Sequence, residues 1–354
     1  MTTAGGAPAP SLDPARLAAY LRSHVAPFDG PLSVQRVEGG YSNPTFVVGT
    51  AGAGSARYVV RCKPPGSLLP SAHAIEREVR VLRALAGSAV PVPAVRALCE
   101  DAAVLGSAFY VMDFVDGRIF GDQTLPSLPP AQRAACYDEM ARVLASLHAI
   151  DWRAAGFEGF GKDGHYVERQ LARWTGQYRA SETRRIEPME QLIAWLPAHV
   201  PPPNPTRLVH GDFRLDNVIF HPVEPRIVAV LDWELSTLGD PLVDLAYHCM
   251  SWRLALGGHR TLLGADLATL GIPGVGEQVA AYLRHRGTAN GGAIPHWGFY
   301  LAFNMFRLAA IQQGVLKRAL DGNAAHSRAL AVGARVEASA SAGWDCALEA
   351  MRGA

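Results

Sequence analysis

The chain has 354 residues, 49% hydrophobic and 18% charged, with 35 glycines and 25 prolines; this is long enough for a two-lobed unit with a real core and too ordered in composition for a low-complexity chain. A net charge of +1 with no polybasic tract argues against a nucleic-acid partner, and no run approaches the about 18 apolar residues that cross a bilayer. The five cysteines (Cys62, Cys99, Cys136, Cys249, Cys346) are scattered with no C-x-x-C pair, and the first ten residues lack a signal-peptide pattern, so a soluble, reduced, cytoplasmic protein without membrane or nucleic-acid partners is expected.

Residues 1–12, rich in Ala, Gly and Pro, are expected to be disordered. Asp13 before Pro14 reads as an N-cap and first helical residue, opening a helix to Val25. From Leu32 the period changes to two. LSVQRVE and TFVVGT read as strands about a GGYSN turn, and RYVVRC (57–62) as a third strand, stopped by Pro64 and Pro65. SAHAIEREVRVLRALAG carries a Ser cap, apolar residues at Ile75, Val79, Leu82 and Leu85, and a closing Gly87, which together predict a helix. PVPAVRALCE and SAFYVMDFV add two strands, so residues 13–115 predict an α+β lobe in the order β-β-β-α-β-β. Residues 116–354 are mainly helical by pattern, over 130–150, 166–180, 186–196, 240–256, 275–289, 297–320 and 326–350, with a strand-turn-strand region at 208–233. A cleft between two such lobes is a favoured ligand site.

The densest polar cluster in an apolar setting is LVHGDFRLDNVIF (208–220), followed by IVAVLDWELSTLGDPLVDLAYH (227–248). Asp212, Asn217 and Asp232 at strand ends suit a hard, oxygen-loving cation such as Mg2+ and leave one carboxylate over as a base. Two metal ligands, a hydroxyl-orienting carboxylate and cations for the phosphates are the parts of phosphoryl transfer. The spacing of His210, Asp212 and Asn217 matches the protein-kinase catalytic loop, and Asp232-Trp233-Glu234 stands where D-F-G would. Gly39, Gly40, Tyr41, Ser42 and Asn43 on the first hairpin, Arg61 on the third strand and Glu78 on the next helix follow in the same order. Glycines there would let backbone amides approach phosphates. A metallohydrolase built on His210-x-Asp212 would need further ligands at metal spacing, and the other histidines are scattered.

These motifs, together with RCKPPGSLLPSAHAIEREVRVL, FYVMDFVDGRIF and IVAVLDWELSTLGDPLVDLA, resemble the aminoglycoside phosphotransferase/choline kinase family. Within it they resemble the kinase modules fused to, or encoded beside, acyl-CoA dehydrogenases; the resemblance covers residues 30–320. It implies an α+β, protein-kinase-like two-lobed fold, with a nucleotide-binding N-lobe at 13–115 and a helical C-lobe at 116–354. It also implies an ATP- and Mg2+-dependent kinase of a small-molecule hydroxyl. Asp212 would be the base, Asn217 and Asp232 the metal ligands, and Arg61, positioned by Glu78, the grip on the α/β-phosphates. Gly40, Ser42 and Asn43 would lie at the nucleotide, and a hinge at 112–115 would offer backbone groups of Met112 and Phe114 to adenine.

Several assignments stay open at this level. Lys63 is the alternative cation to Arg61, since strand alternation puts both on one face, and Glu76 is the alternative to Glu78. His210 either anchors the catalytic loop or acts directly, and Arg214 either touches the transferring phosphate or is a solvated arginine. Asp216 is expected at the surface, His148 in a packing or capping role, Asp240 as an N-cap, and Asp244 as the carboxylate tying the loop from below. Between Asp232 and Asp244 there is no room for an activation loop, and no A-P-E follows, so small molecules are expected as acceptors rather than proteins. No dehydrogenase domain is read in the chain, and a link to an acyl-CoA dehydrogenase would be functional only. The acceptor expected from the subgroup is a hydroxyacyl-CoA or related hydroxy acid, met by Trp252, His296, Trp297, Tyr300, Phe303, Asn304 and Arg307. An aminoglycoside- or choline-type alcohol kinase and a nucleotide-binding pseudokinase are the alternatives.

Overall fold

The computed structural model describes residues 12–25, 31–37, 43–50, 56–64, 75–254, 260–288, 293–322 and 326–352. The Gly39–Ser42 turn, with the expected nucleotide contacts Gly40 and Ser42, lies outside the described residues. The chain divides into two compact units, one of Met1–Arg118, Ile219–Pro222 and Val228–Glu234, the other of Ile119–Val218, Val223–Ile227 and Leu235–Ala354.

The first unit is built on an antiparallel sheet of β1 (Leu32–Arg36), β2 (Thr45–Thr50), β3 (Arg57–Cys62), β4 (Val95–Cys99) and β5 (Phe109–Asp113), in the order β1-β2-β3-β5-β4. The period-2 pattern sets its two faces. On β3, Tyr58, Val60 and Cys62 turn into a core shared with Phe46, Val48, Phe109 and Val111 and with Leu17 and Leu21 of helix α1 (Pro14–His24). Helix α1 begins as its sequence predicts: Asp13 Oδ1 accepts from the amides of Ala15 (2.9 Å) and Arg16 (3.2 Å), with Pro14 in the first position. Helix α2 (Ile75–Leu85) packs on β4 and β5 through a buried stripe of Ile75, Val79, Leu82 and Leu85. A short helix α3 (Ala102–Leu105), capped by Asp101 and closed by left-handed Gly106, was not legible as a period because it is one turn long.

The second unit holds α4 (Pro130–Ala149), α5 (Tyr166–Ser181), α6 (Glu187–Ala198), then β6 (Arg207–Val209). After the catalytic-loop sequence come β7 (Val218–Phe220) and β8 (Ile227–Val230), which pair with each other and fall mostly in the first unit. β9 (Thr237–Gly239) pairs antiparallel with β6 and leads into α7 (Pro241–Cys249). Helices α8 (Leu267–Leu270), α9 (Val275–His285), α10 (Trp297–Leu320), α11 (His326–Gly333) and α12 (Val336–Arg352) complete it.

Helix α10 is the centre of this unit, with Phe299, Tyr300, Phe303 and Phe306 buried along it. It packs most extensively on α12, whose buried Val336, Ser339, Ala340, Gly343 and Ala347 form an i, i+3, i+4 stripe of small residues. A side chain on Gly298 would place a Cβ 3.0 Å from the Cys346 carbonyl, so this approach needs a glycine. The predicted single helix over 326–350 is two. Gly333 lies against Leu316, where a Cβ would come within 2.6 Å, and the chain turns there before α12 starts. The helix predicted over 240–256 likewise stops at Cys249 and tightens into a 3-10 turn, Met250–Trp252. Among the described residues no helix is long and apolar enough to cross a membrane.

Candidate functional site

In the first unit, alternation on β3 sends Cys62 into the core and Arg61 to the other face, over α2. Arg61 Nε lies 3.1 Å from Glu78 Oε2, and its terminal nitrogen donates to Asp232 Oδ1 at 2.7 Å, with Glu234 at 3.6 Å. Glu78 is buried and also accepts from Asn43 Nδ2 (2.8 Å) and the Tyr110 hydroxyl (3.0 Å). Burial pushes the Glu78 carboxyl up to about 7, with the Arg61 charge pulling the other way. Burial also works against the charge on Arg61, but Glu78, Tyr110 and Asp232 outweigh it and hold the guanidinium above its ordinary range. Asp232 itself has φ +63°, a left-handed conformation that aspartate tolerates better than most residues.

The alternative pair also forms: Lys63 Nζ, just past β3, lies 2.5 Å from Glu76 Oε1 in a more exposed position, so Arg61 and Lys63 take the two carboxylates of α2 in register. Asn43, expected at the nucleotide, is 1% exposed, and its amide nitrogen donates to Glu78 on α2. Met112 sits within β5, opposite Val59 on one side and Val95 on the other, and the Phe114 amide donates to the Arg57 carbonyl at 3.2 Å. The Phe114 ring is stacked by the Arg57 guanidinium, 4.1 Å from its centroid. That amide is therefore already bonded, and Met112 is a sheet residue.

In the second unit the chain leaves β6 through Gly211, φ +83°, where a Cβ would come 2.7 Å from the Leu235 carbonyl. The turn presents Asp212 and closes in a 3-10 turn at Leu215–Asn217. Asp244 on α7 accepts from the amides of His210 (2.7 Å) and Gly211 (2.8 Å), and lies 3.3 Å from His148 Nε2, whose other nitrogen is 2.8 Å from the Tyr282 hydroxyl. Burial opposes the charge on Asp244; the His148 hydrogen bond and charge and the amides outweigh it and hold its carboxyl below the usual range. His210 is buried, and its Nδ1 accepts from the Asp212 amide at 3.2 Å, which places it as a brace within the loop.

Asp212 is held at both oxygens. Tyr247 donates to Oδ1 in a short hydrogen bond, and Asn217 Nδ2 donates to Oδ2 (2.9 Å) and to the Asp212 carbonyl (2.8 Å). Arg214 Nε lies 2.9 Å from Oδ1. Burial first, then the Asp212 charge, keeps the Tyr247 hydroxyl well above its ordinary pKa, so it stays a donor. With its amide nitrogen engaged, Asn217 keeps its side-chain carbonyl oxygen as the acceptor it can offer to a ligand. Among the described residues no group of three or more His, Cys, Asp or Glu forms a metal cluster.

Asp216 is not a surface residue. Its side chain is 13% exposed and pairs with Arg260 (2.8 Å) and Arg214 (3.4 Å). The aromatic set expected at the acceptor is mostly core: Tyr300, Phe303 and Asn304 are buried, Asn304 bonds the Val243 carbonyl, and Trp252 Nε1 bonds Pro273. Arg307, expected at the acceptor, is buried with its guanidinium donating to the Gly211 carbonyl at 3.0 Å, so it braces the loop. Tyr247 is the site residue that sequence reasoning missed; its one signal is position i+3 from Asp244 on a predicted helix.

The profile of the phosphotransferase enzyme family matches residues 33–299. Acyl-CoA dehydrogenase family member 10 of Mus musculus is 47% identical over 323 residues, which cover 90% of this chain and 29% of that protein. Family member 11 of Homo sapiens is 42% identical over 321 residues, 89% of this chain and 40% of that protein. The chain therefore spans less than half the length of these curated relatives. A crystal structure from Ralstonia eutropha, provisionally described as an aminoglycoside phosphotransferase, superposes with a TM-score of 0.85 at 49% identity, covering 96% of this chain and 99% of that one. A thermostable aminoglycoside phosphotransferase mutant in ternary complex with AMP-PNP and hygromycin B shares the fold at 18% identity, with a TM-score of 0.60 and coverage of 93% and 98%.

Proposed function

Because the chain belongs to the phosphotransferase enzyme family and is a small-molecule kinase with a protein-kinase-like fold, we propose that it transfers the γ-phosphoryl group of ATP to a hydroxyl on an acyl chain, such as that of a 4-hydroxyacyl-CoA. The observation that carries this reading is Asp212: a carboxylate fixed at one oxygen by Tyr247 and at the other by Asn217, in a loop whose backbone Asp244 holds. A base so oriented takes the acceptor proton as the oxygen attacks phosphorus. Arg214, beside the same carboxylate, supports the developing negative charge. Arg61, backed by Glu78, grips the nucleotide phosphates through its remaining donors. The family resemblance would give Asn217 and Asp232 the role of magnesium ligands, and the ion, when bound, would neutralise charge on the phosphates. That the fold holds an adenine nucleotide analogue in a distant neighbour supports ATP as the donor.

The acyl acceptor is supported by relatives named as acyl-CoA dehydrogenases, and a functional link to such an enzyme follows as part of the same proposal. The chemistry is coherent, since a phosphate ester leaves far more readily than hydroxide. The test compares kcat/KM for 4-hydroxyacyl-CoA, choline and kanamycin with Mg2+ and ATP. The acyl-CoA should be turned over fastest, and faster turnover of either amine rejects the acceptor assignment.

A further inference from the structure

A cavity of about 180 Å3 lies beside the catalytic loop, and its described lining residues all belong to the second unit. Its lining includes Arg214 and Tyr247, the two groups on Asp212 Oδ1, so a molecule in it adjoins the base. Arg214, Arg260, Arg335 and the carboxylate of Asp216 are among its lining residues. Asp216 bridges Arg214 and Arg260, and Asp212 also lies against Arg214, so the three arginines and two aspartates leave a formal charge of +1 at the cavity. His248 also lines the cavity, but burial holds its imidazole pKa down to about 4, so it adds no charge near neutrality. Ser251 is 5% exposed and its hydroxyl has no hydrogen-bond partner among the described residues, a state that buried polar groups rarely keep without a ligand or water. Leu308 and Ile311 of α10 and Val332 of α11 give the same cavity an aliphatic wall.

We propose that Arg260, Arg335 and Ser251 form the anchoring subsite for the acceptor, and that the acceptor is a hydroxylated acyl anion. Its negative end meets the two arginines, its carbonyl oxygen accepts from Ser251, and its hydrocarbon segment lies along Leu308, Ile311 and Val332. This rests on Asp212 being the base. In the step itself the acceptor oxygen forms a bond to the γ-phosphorus, the bond from that phosphorus to the bridging oxygen breaks, ADP leaves with the electron pair, and the hydroxyl proton passes to Asp212. A polycation or a quaternary amine is repelled by the same lining.

The negative end can come from a free carboxylate or from the phosphates of a CoA thioester, and the assay separates them. Phosphate transfer is measured for a 4-hydroxy fatty acid, its uncharged methyl ester and its CoA thioester, in wild type, Arg260→Gln, Arg335→Gln, Arg335→Lys and Ser251→Ala. Arg260 is half exposed, so its replacement keeps the test open should a change at Arg335 disturb the α11–α12 turn. Each glutamine variant should cut the preference for anion over methyl ester about tenfold, the size of one charge-assisted hydrogen bond. Arg335→Lys should keep most of that preference, and the anion whose preference falls identifies the source. Equal use of anion and ester by wild type, or an unchanged ratio in both glutamine variants, overturns the subsite. Calorimetric binding of the same acid to Asp212→Asn separates the two proposals. Arginine-dependent binding without transfer by wild type supports the subsite and rejects the kinase assignment. Transfer with an arginine-independent ratio does the reverse.

Discussion

Asp244→Asn isolates what the α7 carboxylate does for the catalytic loop. Asp244 accepts from two consecutive amides, His210 N at 2.7 Å and Gly211 N at 2.8 Å, one on each oxygen, while His148 lies on the first of these. An asparagine of the same size keeps one acceptor and turns its own NH2 toward the other amide. The loss is one charge-assisted hydrogen bond and one buried N–H left without a partner, about 2–4 kcal/mol. Part of that appears as global destabilisation and part as local opening of 210–212, the segment that presents Asp212. A displacement of the base by even an ångström costs about a hundredfold in rate. The expected result is a fall in kcat of tenfold or more with an ATP KM within about threefold of wild type, because Arg61 stands on β3 and Glu78 on α2, in the other unit. Chemical denaturation gives the stability, and steady-state phosphate transfer gives the split between kcat and KM. The pH dependence adds a second reading. The Asp244 carboxyl lies below its ordinary range when folded, so the unfolded chain binds its proton first. Its contribution is full above the unfolded carboxylate pKa and is lost as pH falls through the folded one; the variant should lose that acid-side slope. Loss of stability with an unchanged kcat would refute the claim that this carboxylate positions the base.

Asp212→Asn should lower kcat about a hundredfold to ten-thousandfold while nucleotide affinity changes little, and wild-type transfer by this variant would remove Asp212 from the reaction. Arg61→Ala should raise the ATP KM and lower kcat together, whereas Lys63→Ala, which loses only the outer pair with Glu76, should be mild; the reverse pattern in steady-state kinetics would exchange their roles. His248, buried between Phe213 and Trp252, has its imidazole held down to about 4 by burial, with Asp244 pulling the other way. The unfolded chain therefore takes this proton near pH 6.5 and the folded chain only near 4, so stability falls by about 3 kcal/mol as pH drops across that window. His248→Gln should flatten that slope in denaturation curves from pH 7 to 4, and an unchanged slope would show that other groups carry it.

What was legible in the sequence was what is local. Strand alternation separates Arg61 from Cys62, and the loop from His210 to Asn217 declares itself because its residues act within one turn of each other. The Asp13 cap, the β-β-β-α-β-β order, interrupted only by the one-turn α3 before β5, and the Asp240 cap are likewise set by neighbours in sequence. The aromatic run of α10 was misread as an acceptor wall because a core stripe and a ligand wall have the same period; burial of Tyr300 and Phe303 decides between them. Asp216 looked solvated because alternation places it off the apolar face. Its partner Arg260 is 44 residues away and cannot be paired with it by any local rule. Arg307 on the Gly211 carbonyl is hidden for the same reason, 96 residues distant. The break at Gly333 depends on Leu316 in another helix.

Helix α7 shows how so much of the site follows from one short period. Asp240, Asp244, Tyr247, His248 and Ser251 run at steps of three and four, one stripe down the helix and into its 3-10 continuation. From top to bottom the stripe caps its own helix at Leu242, holds the loop backbone at His210 and Gly211, bonds the base, and then lines the cationic cavity. Because these contacts share one element, Asp212 cannot move relative to the cavity wall without breaking its bond to Tyr247 or the bonds of its loop to Asp244. On the proposed roles, orientation of the carboxylate and recognition of the acceptor are set together by α7, while the Arg61–Glu78–Asp232 cluster rests on β3, α2 and the second residue after β8. Lesions in the stripe should move kcat and acceptor preference as a pair, and lesions in the arginine cluster should register in nucleotide KM.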